Sequence, residues 1–256
     1  MTNLATYLKV QDQPTTADMP APAIALAIGA HPDDIEFGCG GTLAKWSRDD
    51  CKIHYLILTD GSKGTWDEHR DAGELADTRR LEAIEAARTI SPSSEVHFLG
   101  RIDGELESTP KERSEVAYLI RQIKPEAILG HDPFKRYRLH PDHRNAGWIT
   151  CDSIIAARDP LFFPEHNLPR HRPKALLLWE ADEPDHFESI GDYLDSKVTA
   201  LLQHRSQYET TLGITGEVSD AAMSQLADTV ARQAEAVSLR WKKKEAGEEF
   251  KLITDL

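Results

Sequence analysis

Two short strings, His31-Pro32-Asp33-Asp34 and His140-Pro141-Asp142-His143, each put a histidine and a second metal-ligating side chain three residues apart around an X-Pro bond. Proline holds the preceding residue in extended backbone and is welcome at the first position of a helix. Each string therefore reads as a strand end turning into a helix start. Imidazoles and carboxylates from two such turns can hold a divalent cation with one position open, the design of a hydrolytic rather than a structural metal site. His31, Asp34, His140 and His143 are the ligand candidates. All four together would close the site, so one histidine should be free for chemistry, and Asp33 beside the ligands is placed to be the base. The plainer reading makes Asp33 and Asp34 helix-start acids favoured by the dipole. Turn chemistry does not demand a His-Pro at two strand ends, and the metal reading is preferred.

The pattern around the strings supplies the elements to position them. Ile24–Ala30 is a continuous apolar run, as expected for a strand buried on both faces. Helix Gly38–Arg48, strand Lys52–Thr59, helix Glu74–Thr89, strand Val96–Leu99 and helix Ser108–Lys124 follow. Strand Ala127–Gly130, helix Asp142–Arg158, a proline-rich loop over 159–173 and strand Ala175–Glu180 come next. The remainder reads as mostly helical, with helices Tyr193–Gln207 and about Ser219–Lys244. Strand–helix alternation at this spacing predicts an α/β fold: a three-layer α/β/α, Rossmann-like, mainly parallel sheet with helices on both faces. Both strings fall at strand carboxyl ends, where ligands bind in such sheets. Residues 1–22 read as a polar leader on the surface or loosely ordered, and residues 23–256 as one domain with a helical C-terminal part.

Composition narrows the partners. With 43 acidic against 30 basic residues the net charge is −13, which argues against a nucleic-acid partner or an anionic membrane surface. The N-terminal stretch lacks the charged and apolar regions of a secretory signal, and no apolar run is long enough to insert in a bilayer. Cys39, Cys51 and Cys151 are odd in number and widely spaced, as reduced thiols of a cytoplasmic protein would be. Cys39 is expected to be a small buried side chain.

The string Ala30-His-Pro-Asp-Asp-Ile-Glu-Phe-Gly-Cys-Gly-Gly41 and the string His140-Pro-Asp-His-Arg144 resemble, in order and separation, the two signature motifs of the PIG-L/LmbE-like zinc-dependent N-deacetylases. Weaker echoes are Leu58-Thr59-Asp60-Gly61, Arg79-x-x-Glu82, Leu99-Gly100 with Asp103-Gly104, and Lys197 with His204-x-Ser206-Gln207. The resemblance spans residues 24 to about 210. It implies His31, Asp34 and His143 as ligands of Zn2+, with Fe2+ or another divalent metal able to use the same site. It implies Asp33 as general base, His140 as the group that stabilises the oxyanion or protonates the amine, and Asp142 as the residue orienting His140. It implies that Arg79 and Asp103 contact the substrate, a small amino sugar or its conjugate carrying an N-acetyl group. Relatives of this kind often assemble, and the helices after residue 190 could provide the interface of a homo-oligomer.

Competing readings are weaker. Gly38-x-Gly40-Gly41 follows a strand but lacks the third glycine of a dinucleotide fingerprint, so the glycines are expected to permit close packing. A two-His-one-carboxylate iron oxygenase would sit on a β-rich scaffold, and a two-metal phosphatase needs more bridging carboxylates. A non-catalytic sugar- or metal-binding module would need neither Asp33 nor His140, and an amidase for a different amide conjugate would share the whole site. The segment before the second string carries Lys135, Arg136, Tyr137 and Arg138; its basic residues either read an acidic substrate or cover a loop.

Overall fold

The computed structural model describes residues 15–215 and 219–256. Its strands are β1 (Thr16–Ala17), β2 (Ile24–Gly29), β3 (Lys52–Thr59), β4 (Glu95–Arg101), β5 (Ala127–His131), β6 (Ala175–Trp179), β7 (His186–Ser189) and β8 (Gly247–Ile253). They form one sheet in the order β1-β7-β8-β6-β5-β2-β3-β4. The helices are α1 (Asp34–Arg48), α2 (Ala72–Ile90), α3 (Pro110–Ile123), α4 (Pro141–Arg158), α5 (Leu194–Leu201) and α6 (Asp220–Trp241). Pairing is parallel except where β8 runs antiparallel to both β6 and β7.

Side chains alternate across the strands, and each face gathers its own core. Ala25, Ala27, Ile53, Tyr55, Ile57, Leu129, Leu177 and Trp179 face α1 and α2, which contribute Ile35, Leu43, Trp46, Ala83, Ala87 and Ile90. Leu26, Ile28, Leu56, Leu58, Ile128, Leu176 and Leu178 face α3 and α4, which contribute Val116, Ile120, Ile149 and Ile154. A smaller cluster of Leu201, Leu212, Ile214, Leu226 and Val230 joins α5 to α6. This is the three-layer α/β/α arrangement that the sequence pattern predicts, with helices on both faces of a mostly parallel sheet.

Several elements differ from the sequence reading. The segment expected to be one helix over Tyr193–Gln207 is broken into short 3-10 turns at Gly191–Tyr193 and Arg205–Gln207 with α5 between them. The C-terminal part is not only helical: β7 and β8 extend the sheet. Of the polar leader, residues 1–14 lie outside the described residues, whereas Thr16–Ala17 pairs with β7 at His186 and Phe187.

Close packing explains the glycines of α1. A Cβ on Gly38 would come within 2.5 Å of the Trp179 ring, and one on Gly41 within 2.6 Å of Ile190. Both positions let α1 lie directly against its neighbours. β2 and β5 are sheet neighbours without being neighbours in sequence: the chain leaves β2 toward β3 and β4, then returns to β5 on the other side. The crevice beyond the carboxyl ends of β2 and β5 is therefore a topological switch point, where open α/β sheets bind ligands.

Candidate active site

The first His-Pro string follows β2 at that switch point, and the second opens α4 after a loop over 132–139 that leads from the end of β5. β2 ends at Gly29, and α1 starts at Asp34 with Asp33 as its flanking residue. Asp33 has φ 114°, a region that L side chains seldom adopt, and its carboxylate does not cap the helix. The strained turn aims it elsewhere. In the second string His140 flanks α4 in extended backbone, Pro141 opens the helix, and the His140 side chain also makes no cap. The plain helix-cap reading of these residues therefore fails on geometry.

Three donors converge. His31 Nδ1 lies 3.1 Å from His143 Nε2 and 3.3 Å from an Asp34 carboxylate oxygen. The other Asp34 oxygen is 3.2 Å from His143 Nε2. A tetrahedral cation with bonds of about 2.0–2.1 Å spaces its ligands by about 3.3 Å, so these residues fit a divalent metal.

Neighbouring groups fix the three side chains from behind. On the far side of the His31 ring, Nε2 sits 3.1 Å from both an Asp103 and an Asp142 oxygen. Asp142 is pinned by the backbone N–H groups of Gly104 (2.6 Å) and Leu106 (3.2 Å). Asp34 accepts from the His31 backbone N–H at 2.7 Å and lies 3.2 Å from His131 Nε2. The indole N–H of Trp179 donates to His131 Nδ1 at 3.0 Å, which leaves the other ring nitrogen to donate to Asp34. Arg138 approaches His143 Nδ1 at 2.5 Å and pairs with Glu180. Partners of this kind orient metal-binding imidazoles and carboxylates.

Asp142, which the resemblance implies orients His140, stands against His31 Nε2 and is also one of the carboxylates whose charge acts on His140. It sits in the first turn of α4, where the N–H groups of Gly104 and Leu106 hold its carboxylate against His31. Arg79 is buried, with its guanidinium donating to the carbonyls of Gly61 (3.0 Å) and Pro32 (2.5 Å) and standing 3.3 Å from the Asp33 carboxylate. Glu82, three residues on from Arg79 in α2, accepts from the Ser206 N–H and hydroxyl. His204, expected to sit in a helix, lies outside α5, buried with Nε2 3.2 Å from Glu36. Lys135 and Arg136 bind the 180–182 loop, and Tyr137 is 93% exposed.

Charge follows burial and neighbours. Burial pushes the Asp33 carboxyl up to about 6, although Arg79 pulls in the other direction. Burial also opposes the Asp34 carboxylate, but His131 and His143 outweigh it and hold its pKa well below the usual range. Burial disfavours a charged His31, and the Asp103, Asp142 and Asp34 carboxylates outweigh that, raising its pKa well above an ordinary imidazole. Burial, with His31 and His143 nearby, lowers His140. Burial drives all three thiols upward, Cys39 well above its ordinary value and Cys51 and Cys151 to about 12, so none is a reactive nucleophile.

Sequence reading missed His131, Trp179, Glu180 and the bracing role of Arg138. His131 had a usable signal: it is the last residue of β5, just ahead of another X-Pro turn. The rest required knowing that β6 lies beside β5.

His31, Asp33, Asp34, Arg79, Asp103, His140 and His143 line one open cavity of about 510 Å³. Trp66, 74% exposed, stands at the same cavity with Lys63, Thr210 and Thr211. Fold and donor set together define an α/β protein with a candidate metallohydrolase centre at its switch point.

The family model for PIG-L, described as GlcNAc-PI de-N-acetylase, matches residues 26–154. A diacetylchitobiose deacetylase of Thermococcus kodakarensis is 36% identical over 186 residues, covering 72% of this chain and 69% of that protein. A 1D-myo-inositol 2-acetamido-2-deoxy-alpha-D-glucopyranoside deacetylase of Rhodococcus erythropolis is 29% identical, covering 62% of this chain and 60% of that protein. Among solved structures, the N,N'-diacetylchitobiose deacetylase of Pyrococcus horikoshii superposes with a TM-score of 0.80 at 27% identity, covering 91% of this chain and 84% of that one. The chain belongs to the PIG-L family.

Proposed function

We propose that this protein is a metal-dependent N-deacetylase that hydrolyses the acetamide of an N-acetylglucosamine-type sugar or its conjugate. The observation that carries the reading is the His31, Asp34 and His143 triangle beside the buried Asp33 carboxyl, all opening on one cavity. The named deacetylase relatives act on sugars of this type. A divalent cation held by the triangle would polarise the amide carbonyl and acidify a nearby water.

The chain's own groups then divide the work. Asp33 is ionised at neutral pH yet more basic than a solvated carboxylate, because burial sets its pKa at about 6. It takes a proton from the attacking water as the new C–O bond forms. His140 is mainly neutral at pH 7 because burial and nearby imidazoles lower its pKa, and a neutral imidazole still carries one N–H. That N–H donates to the oxyanion that replaces the carbonyl. The C–N bond breaks as the nitrogen receives the proton Asp33 took up, leaving acetate and a free amine. Asp103 and Asp142 keep the His31 ring turned toward the triangle, and Arg79 holds the Asp33 turn in place. Trp66 presents a flat apolar face at the rim, suited to the C–H face of a sugar ring.

The test is amine release from a panel of N-acetylglucosamine conjugates, with metal measured on the same sample. Metal-dependent release of one amine per substrate supports the reading. No release from any acetamido sugar by metal-loaded protein overturns it.

A further inference from the structure

Far from the carboxyl edge, a second group of metal-ligating side chains stands on the sheet. His54 belongs to β3, and Glu95 and His97 belong to β4, the strand at the end of the sheet. The parallel register sets His54 opposite Glu95, and His97 opposite Leu56 two residues along. All three side chains therefore rise from the same face. His54 Nδ1 is 3.3 Å from His97 Nε2, and a Glu95 carboxylate oxygen is 3.8 Å from His54 Nδ1. One donor atom from each of the three lies within 4.8 Å of the others.

We propose that His54, Glu95 and His97 form a second divalent-metal site, selective for zinc or a similar imidazole-preferring cation. Two neutral imidazoles and one carboxylate are a donor set such ions favour over magnesium or calcium. The separation of the two ring nitrogens matches the spacing of adjacent ligands on a tetrahedral ion, about 3.3 Å. Burial pushes both His54 and His97 below the ordinary imidazole range, so each ring offers a free lone pair at neutral pH. The bare alternative is an imidazole pair sharing one proton between rings stacked at 5.6 Å. That arrangement makes no use of Glu95, which sits opposite His54 and is mostly exposed.

The position separates this site from catalysis. His54 is five residue steps from Thr59 at the carboxyl end of β3, about 17 Å of extended chain. A cation here would tie the end strand β4 to β3 and stabilise the folded chain in proportion to its occupancy.

The full chain is equilibrated with zinc, exchanged into metal-free buffer and analysed for bound metal, and cobalt-loaded samples are read for visible absorption of tetrahedral Co2+. His97→Gln and Glu95→Ala should each bind one equivalent fewer than the wild-type chain, or bind it at least tenfold more weakly. Both should keep the wild-type rate of amine release when zinc is at one equivalent. Glu95 is exposed, so its substitution reads the site without disturbing the core. An unchanged metal count and affinity in both variants, or a wild-type chain that holds only the metal lost in His143→Ala, overturns the proposal.

Discussion

Asp33 combines three conditions that a turn residue does not need: a φ of 114°, a buried carboxyl and no cap hydrogen bond. Non-glycine residues in such backbone cost of order 1–3 kcal/mol, and they persist where the surroundings hold them. Here Arg79 clamps the Pro32 carbonyl and the Asp33 carboxylate together. The base role gives a pH signature. A carboxyl with its pKa raised to about 6 is protonated below that pH and cannot accept, so turnover should fall about tenfold per unit below about pH 6. A pH profile of kcat/KM that is flat from 7 to 4.5 would contradict it. Trp66 gives a second residue-scale expectation. Trp66→Ala should raise KM for a sugar conjugate about tenfold, about 1.4 kcal/mol of lost contact, while leaving kcat within a few-fold. Steady-state kinetics on one conjugate separates the two parameters.

At the scale of elements, the two His-Pro strings were legible because each condenses a helix start and its ligands into four residues, although only the first directly follows a strand. The apolar runs at Ile24–Gly29 and Ala175–Trp179 announced buried parallel strands for the same reason, having no polar face to alternate. β8 was not legible. Its segment follows Lys242, Lys243 and Lys244, where the expected helix ends, and Glu248 and Glu249 interrupt any apolar run that would mark a strand. Glu248 is in fact buried, where it accepts from Lys197 at 2.6 Å and from the N–H groups of Gly41 and Thr42. β1 and β7 are two and four residues long and pair across some 170 positions, which no local pattern reveals. The helix expected through Gln207 stops early because Glu36 takes His204 and Glu82 takes Ser206, tertiary contacts that outweigh periodicity. That Asp142 also meets His31 was not legible, since the contact depends on how α4 meets the Gly104 turn. Close approach of α1 to β6 yields a test. Gly38→Ala drives a methyl into Trp179 and should cost about 1–3 kcal/mol in urea unfolding. Trp179 holds His131, and His131 holds Asp34, so metal affinity should fall as well. Titration of the variant with zinc measures that.

For the whole molecule, charge is concentrated where the strands end. Asp34, Asp103, Asp142 and Glu180 all meet imidazoles or Arg138 there, and these partners outweigh the opposing effect of burial to lower each carboxyl, Glu180 to about 2. A carboxyl with a folded pKa below its unfolded value stabilises the fold above the unfolded pKa and loses that contribution as pH falls toward the folded one. The metal-free chain should therefore lose stability progressively from about pH 4.5 downward, seen as a falling urea midpoint. Asp33 and Asp132 have the opposite sign, since a raised pKa penalises the ionised folded state above the unfolded value, but they are two groups against four. A urea midpoint constant from pH 5 to 3 would contradict this balance. The fold itself leaves the reaction open. A fold alone does not fix a reaction; the residues of the site do.

The central claim is that ligation and proton abstraction are divided between Asp34 and Asp33, neighbours in one turn. Asparagine tolerates the left-handed backbone of that turn, so Asp33→Asn removes the base with little change of shape. Metal content and amine release should be measured together on the wild-type chain, Asp33→Asn and His143→Ala, with an N-acetylglucosamine conjugate as substrate. Asp33→Asn should keep the wild-type metal content and lose about 10²–10⁴-fold in kcat, while His143→Ala should lose the metal that Asp33→Asn retains. Near-wild-type turnover by Asp33→Asn, or undiminished metal in His143→Ala, would contradict the account.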